Sequence, residues 1–365
     1  MNPAVVRHLL RRAAFSALAP WARGWRDYSR LIVAGDGGGW VLDEEIRDLR
    51  SLCGKIGLRT AAAGWEPVAR RQGVFYASQF VLLDPPADRG HRACFAYFHG
   101  RPGSGLPEFD AVFDNLRRTR DRWARIQVSH SEMREVVLSS GIAPDKVRVI
   151  PIAIRLGMFS PQTPETRAAA RRRLGIPDGA FVAGSFQKDG NGWGEGLEPK
   201  LIKGPDVLVE TFVALKDRIP ELVALLCGPA RGFVKQGLTE AGIPFRHVFA
   251  KSYDEIPALY HALDVCLVTS RQEGGPKAVL ESMASGIPLV TTRVGQAMDL
   301  VRNGVNGFMV AVEDVEGLAH SVERVRGLDG AARTALRQAA RATAEANSWD
   351  RQGPLWRDFL SGIVE

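Results

Sequence analysis

Two glutamates bracket a glycine-rich turn in the segment Ser270 to Gly286, SRQEGGPKAVLESMASG: Glu273 stands before Gly274-Gly275-Pro276, and Glu281 follows within the next apolar stretch. The run before it, Asp264-Val-Cys-Leu-Val-Thr, reads as a buried strand, and Pro276 fits the first turn of a helix, where its missing N–H costs nothing. Glu273 is therefore expected in the loop at the strand's C-terminal end. Gly274 and Gly275 carry no side chain to block close approach, so backbone N–H groups and the positive helix end would be open to a phosphate. Glu281, about a turn and a half into the helix, would accept hydrogen bonds from sugar or ribose hydroxyls. The chemistry on offer is that of a nucleotide-linked sugar; the plainer alternative is a turn followed by a capped helix start.

A second phosphate candidate lies upstream. After the apolar run Phe181-Val-Ala-Gly-Ser comes Gln187-Lys-Asp-Gly-Asn-Gly-Trp-Gly-Glu-Gly-Leu-Glu-Pro-Lys-Leu-Ile-Lys-Gly204, a long loop ending where a helix begins. Lys188, Lys200 and Lys203 would neutralise a diphosphate there, with Lys203 directly before the positive helix end the strongest of the three and solvated surface lysines the alternative for the others. His99 closes the strand Ala93-Cys-Phe-Ala-Tyr-Phe98, at the C-terminal edge of a parallel sheet, where open α/β folds bind ligands. Nearer the start, Leu31-Ile-Val-Ala runs into Gly35-Asp-Gly37-Gly38-Gly39. That loop is neither the G-x-G-x-x-G fingerprint nor a P-loop; its glycines serve either the approach of an acceptor or donor phosphate or a plain strand-to-helix turn.

The elements that must hold these residues alternate between strand and helix. Strands are expected near 31–34, 60–63, 74–77, 93–98, 125–128 and 147–150, and a second series near 181–185, 222–227, 247–249, 265–268, 288–292 and 307–310. The proline-bearing stretch from Ile150 to Pro164 reads as a hinge. The expected fold class is α/β, two Rossmann-like doubly wound domains facing a central cleft. The expected divisions are a basic amphipathic segment over 1–27, an acceptor domain over 28–158, a donor domain over 159–347, and a C-terminal helix over 348–365 crossing back.

Composition bounds the rest. The chain has 365 residues, a formal charge of +7 and 45% hydrophobic residues, enough for two cores and suited to phosphate-bearing ligands or an anionic membrane surface. No zinc-finger spacing, RNA-binding aromatic signature or polybasic block points to nucleic acid. Cys53, Cys94, Cys227 and Cys266 are widely spaced and form no C-x-x-C pair, which reads as small core residues in a reducing compartment. No apolar run is long enough to span a bilayer and no signal-peptide pattern opens the chain, so the expected location is the cytoplasm, with contact at the inner membrane face if residues 1–27 lie on anionic lipid rather than pack on the following domain.

Together these residues closely resemble a retaining GT-B glycosyltransferase of the E-x7-E type, glycosyltransferase family 4, group 1-like. The resemblance rests on Glu273-Gly-Gly-Pro-Lys-Ala-Val-Leu-Glu281, Ala284-Ser-Gly-Ile-Pro-Leu-Val-Thr-Thr292, Gly295, Gly304, Asn306-Gly-Phe-Met-Val310, Lys203-Gly204, Cys227-Gly228-Pro229, Ser129, Ile150-Pro151, Phe159 and Trp349. It spans roughly residues 30 to 350 and is more specific in the second half. It implies that Glu273 meets the donor sugar's hydroxyls, Glu281 the ribose, and Lys203 the diphosphate, while His99 is the active-site histidine. Gly274, Gly275, Pro276 and Lys277 would line the sugar and diphosphate, Gly184, Ser185 and Gly228 the same pocket, and Ser252 and Tyr253 the base. The reaction implied is front-face displacement with retention, needing no cofactor and no metal, onto a glycan or lipid-linked acceptor, as in bacterial cell-surface polysaccharide biosynthesis.

The chain departs from that pattern at three places. Gly184-Ser185 stands where Gly-Arg is common, so the second diphosphate cation is missing, with Lys188 the candidate to replace it; Ile152-Ala153 replaces Asn-Gly, and Asp299 replaces a glutamate. A nucleotide-sugar epimerase, a phosphorylase, or a catalytically silent carbohydrate- or lipid-binding protein on the same fold are the alternatives.

Overall fold

A computed structural model describes residues 26–35, 40–62, 71–86 and 90–365. The expected amphipathic segment, apart from its last two residues, and the candidate glycines Gly37, Gly38 and Gly39 lie outside the described residues. The chain divides into two units, one made of the residues up to Ile150 together with Gln352–Glu365, the other of Pro151–Arg351.

In the first unit β1 (Arg26–Ala34), β2 (Thr60–Ala62), β3 (Arg71–Tyr76), β4 (Arg92–Tyr97), β5 (Trp123–Val128) and β6 (Val147–Val149) form one parallel sheet in the order β2-β1-β3-β4-β5-β6. Helices α1 (Trp40–Lys55), α2 (Pro107–Thr119) and α3 (Ser131–Leu138) make three of the crossovers that parallel pairing requires, those from β1 to β2, β4 to β5 and β5 to β6. Phe95, Tyr97, Val112, Leu116, Trp123 and Ile126 form its core, with the Phe95 and Trp123 rings edge to face at 4.6 Å. The last helix of the chain, Gly353–Leu360, belongs to this unit and sets Trp356 and Phe359 edge-on against Phe75 at 5.4 and 5.9 Å.

The second unit holds β7 (Phe181–Phe186), β8 (Leu222–Cys227), β9 (Phe245–Val248), β10 (Val265–Val268), β11 (Leu289–Thr292) and β12 (Phe308–Val310), again all parallel, in the order β12-β11-β10-β7-β8-β9. Strands covered on both faces read as unbroken apolar runs, and β8, LVALLC, is buried at every position. Alternate residues feed two cores: Val182, Leu225, Cys266 and Val268 on one face, Phe181, Leu226, Val265 and Leu267 on the other.

The two units part at Ile150 and Pro151, at the start of the proline-bearing stretch, and not near residue 158. Ile150 still donates to Val128 of β5 at 2.8 Å, whereas Ile152 is tied to the Gln296 side chain at 2.8 Å and Ile154 bridges to Ser348. Strand order reverses between β7 and β10, since β8 and β9 lie to one side of β7 and β10 to β12 to the other. A crevice at the carboxyl ends of strands on either side of such a reversal is where doubly wound sheets take their ligands.

Candidate functional site

Lys203 and Glu273, far apart in sequence, meet at that reversal. Glu273 lies just beyond the end of β10, in the loop before α8 (Lys277–Ala284; the intervening helices are α4 Pro164–Leu174, α5 Pro205–Lys216, α6 Gly232–Glu240 and α7 Ile256–Tyr260). Lys203 ends a single turn, Leu201–Lys203, ahead of α5. Gly204, the N-cap of α5, has φ +60°, and a Cβ there would collide with the Thr269 carbonyl, so only glycine brings this turn against the end of β10. The Lys203 Nζ then donates to both Glu273 carboxylate oxygens at 2.6 Å, and Ser270 Oγ donates to Oε1 at 2.9 Å. Gln187, directly after β7, donates to the Lys203 carbonyl at 3.1 Å and so ties the two strand ends together.

The loop carrying Glu273 is clamped from below by a buried amide. Gln296 accepts from the Ile152 N–H at 2.8 Å and donates to the Ile152 carbonyl at 3.3 Å, while its own N–H donates to the Gly274 carbonyl at 3.1 Å. A Cβ on Gly275 would stand 2.8 Å from the Gln296 and Ile152 side chains, so a glycine is needed there for packing. Pro276 occupies the N-cap of α8, one residue before the helical turn the sequence suggested, and Lys277 opens the helix with its ammonium 4.9 Å from the Tyr253 ring centre. Gln296 stands in no pattern the sequence offered, and only the long-range fold reveals its tie to Ile152.

Glu281, on α8, has a different set of partners. Tyr253 donates to Oε1 at 2.5 Å and Tyr260 to Oε2 at 2.9 Å, and the carboxylate is buried. Burial pushes its pKa up; the Tyr253 hydroxyl, the Lys277 charge and the Tyr260 hydroxyl pull part of that back. The folded chain therefore holds this proton more tightly than the unfolded chain, and between the ordinary glutamate value and the raised one stability falls as pH rises. Glu281→Gln is expected to match the parent in melting temperature at about pH 4 and to exceed it at neutral pH. A melting difference flat across that range would show that burial does not govern this carboxyl.

The Gly184-Ser185 strand end, where the sequence lacks a cation, is reached by one from elsewhere. Arg231, directly before α6, donates to the Ser185 carbonyl at 2.8 Å, the Ser185 hydroxyl at 3.2 Å and the carbonyls of Gln187 and Cys227 at 3.0 and 3.1 Å. Its Nε stands 3.0 Å from an Asp189 oxygen, and both side chains are 0% exposed. Burial pulls Arg231 down and pushes Asp189 up, each partly offset by the other's charge. The guanidinium is thus committed to the strand end and loop and does not reach solvent. Gly184 leaves room for Leu263, and Gly228 passes close to the Gln187 carbonyl. Lys188 places its ammonium 3.8 Å from the Trp193 ring centre, and Ser252 is exposed just before the turn that holds Tyr253.

His99 belongs to the first unit, two residues past β4. Its Nδ1 is 3.3 Å from Gln79 Nε2, which also donates to the His99 carbonyl at 3.3 Å, and its ring lies edge-on to Phe109 at 5.5 Å and Phe80 at 6.1 Å. With Nδ1 accepting from the amide, the ring proton falls on Nε2, which makes that nitrogen a donor. Gln79, which is buried, is a second positioning residue the sequence did not disclose.

Among the described residues no three His, Cys, Asp or Glu side chains are grouped to hold a metal ion, and no helix is long and apolar enough to cross a membrane. All four cysteines are free and buried, and burial pushes the Cys227 thiol up to about 11.

Residues 197–343 match the family model for glycosyl transferases group 1. The D-inositol 3-phosphate glycosyltransferase of Salinispora arenicola (strain CNS-205) is 31% identical over 241 residues, which are 61% of this chain and 49% of that protein. The lipopolysaccharide core biosynthesis mannosyltransferase LpsB of Rhizobium meliloti (strain 1021) is 29% identical over 205 residues, 50% of this chain and 56% of that one. The chain spans about half the length of the curated relatives it matches. Among solved structures, Anabaena Alr3699/HepE in complex with UDP superposes with a TM-score of 0.70 at 16% identity, covering 91% of this chain and 100% of that one. The sucrose-phosphate synthase (tll1590) of Thermosynechococcus elongatus does so at 0.69 and 17%, with the same coverage. The two six-stranded parallel sheets with their helices are the GT-B fold.

Proposed function

We propose, proceeding from the glycosyl transferases group 1 domain that residues 197–343 carry, that this chain is a retaining glycosyltransferase. It takes a sugar from a nucleoside diphosphate sugar and passes it to a glycan or lipid-linked acceptor in bacterial cell-surface polysaccharide assembly. The observation that carries the reading is the Lys203–Glu273 pair at the β7/β10 reversal, an ammonium and a carboxylate held together at a strand edge that suits a nucleotide. Complexes of the Anabaena protein with UDP, with UDP and glucose, and with UDP-glucose support a nucleotide-sugar donor, and the curated relatives named for inositol phosphate and for the lipopolysaccharide core support a hydroxylated acceptor.

In this reading the diphosphate draws Lys203 away from Glu273 and is neutralised by it as the glycosidic C–O bond lengthens. Glu273, released, accepts hydrogen bonds from the donor sugar, and Glu281, held by its two tyrosines, receives the ribose. The leaving phosphate takes the acceptor's proton on the face it departs from, so no carboxylate nucleophile is required and the anomeric configuration is kept. Lys203 supplies positive charge that a metal ion would otherwise bring to the phosphates, and transfer is expected to be metal-independent. His99, protonated on Nε2, donates to a sugar hydroxyl.

The first test is thermal stabilisation against UDP, GDP, ADP and dTDP and their sugars, with and without a chelator. A ligand that binds only the native state raises the melting temperature, by an amount equivalent to about 2.7 kcal/mol at a hundredfold excess over Kd. A rise with one nucleotide family, unchanged by chelator, is expected. No rise with any nucleotide from a folded sample would instead favour a silent binding protein.

A further inference from the structure

The segment between Gln187 and Lys203 does more than join two ends of the site. It folds back on itself: Gly190 and Pro199 pair as an antiparallel bridge, Asn191 donates to the Glu198 carbonyl at 2.9 Å, and Lys200 donates to the Asp189 carbonyl at 2.7 Å. Its base is fixed by the buried Asp189–Arg231 pair. Its far limb is stitched to the start of α6, where Gly232 and Phe233 donate to the carbonyls of Glu195 and Gly196 at 2.7 and 2.9 Å. Ala230, next to Arg231, holds φ +54°, a strained value for a residue with a side chain, and its carbonyl lies where a Cβ on Gly196 would have to go. Two buried charges and a strained alanine thus specify the shape of this loop.

What the loop presents is Trp193. The residue is 62% exposed, a large apolar side chain left in water, and one side of its indole carries the Lys188 ammonium at 3.8 Å. Glu195 and Glu198 are exposed in the same loop. The loop thus offers a cation against the aromatic face and exposed carboxylates elsewhere along it, beside the exposed Leu197 and Leu201, which matches a ligand whose polar groups both donate and accept and whose body has an apolar side. A pyranose ring has that character, with C–H groups on one face and hydroxyls around its edge. An anionic lipid surface does not fit as well, because Glu195 and Glu198 oppose it.

We propose that Trp193 and Lys188 form a saccharide subsite, in which a pyranose of the glycan acceptor stacks on the indole face that the Lys188 ammonium leaves open. This deepens the glycosyltransferase reading and rests on it, and it gives Lys188 to the acceptor side instead of the donor's diphosphate. Because the loop begins and ends at Gln187 and Lys203, which touch each other, the subsite is rooted at the place where a sugar would be transferred.

The test compares the parent, Trp193→Ala and Trp193→Phe by saturation-transfer NMR with oligosaccharides of glucose, mannose and galactose, alongside nucleoside diphosphate thermal shifts and sedimentation with phosphatidylglycerol vesicles. At least one oligosaccharide is expected to bind the parent, about tenfold or more weakly to the alanine variant, and nearly normally to the phenylalanine variant. Nucleotide shifts should be equal in all three. Oligosaccharides that bind the alanine variant as they bind the parent, or none of them, would overturn the proposal even where the nucleotide shift is intact. Vesicle binding lost with Trp193 would overturn it in favour of a lipid contact. Absence of the nucleotide shift in the parent would count against the donor-site reading separately.

Discussion

Glu273→Gln is expected to tighten the binding of a free nucleoside diphosphate by about tenfold while cutting sugar transfer by about 10²–10³-fold. The Lys203 ammonium is held by both Glu273 oxygens at 2.6 Å, with the carboxylate only 10% exposed, so an incoming diphosphate competes with a charged partner already in place. Glutamine keeps the size of the side chain and removes the charge that holds the lysine. Lys203 is then free to meet the phosphate, but the donor sugar loses its charge-assisted hydrogen bonds. The gain should accordingly appear with the nucleoside diphosphate and be smaller or absent with the nucleotide sugar. Calorimetric titration of both ligands against parent and variant reads the difference. Equal affinities for the diphosphate in the two proteins would mean that Glu273 does not release Lys203 when nucleotide binds.

Arg231→Met is expected to destabilise the chain by about 3–5 kcal/mol, because it strands the Asp189 carboxylate without its partner in a site that water does not reach. The same change removes four donated hydrogen bonds, to two Ser185 oxygens and to the Gln187 and Cys227 carbonyls, whose acceptors stay buried or half-buried. Pairing it with Asp189→Asn should recover a substantial part of the loss, since the buried charge goes with it. Urea unfolding of the single and double variants measures both. A single variant within about 1 kcal/mol of the parent would mean that the pair is not desolvated as described.

The fold was legible in the sequence wherever apolar runs were bounded by turn residues. Each of the twelve strands overlaps an expected one, most plainly where a strand such as β8 is buried on both faces and leaves little room for polar residues; the short strands β2 and β9 are only partly buried. Lys203-Gly204 and the Glu273 turn were legible for a related reason, since glycine and proline mark where backbone leaves a strand and enters a helix. What brings Lys203 onto Glu273 was not written locally. It follows from the strand order, which sets β7 beside β10, and from Gly204 fitting under Thr269.

The supporting residues were harder to see. Arg231 acts on Ser185 from 46 positions away, and Gln296 on Ile152 from 144, and neither sits in a recognisable pattern. An arginine ahead of a helix or a glutamine in a loop looks like solvated surface until the fold buries it. The absent cation at Gly184-Ser185 was visible as an absence, yet the sequence pointed to Lys188 because it is near in the chain. Lys188 instead rests on Trp193, and the guanidinium at Ser185 comes from Arg231.

The most direct measurement is consumption of nucleotide sugars by the purified chain, followed by phosphorus NMR over UDP-, GDP-, ADP- and dTDP-sugars, in parallel with a folded Lys203→Met variant. One nucleotide family is expected to be converted to the free nucleoside diphosphate, and the variant to slow this by about 10²-fold or more. A folded parent that leaves every nucleotide sugar intact, or a variant that consumes them as fast as the parent, would contradict the glycosyltransferase reading.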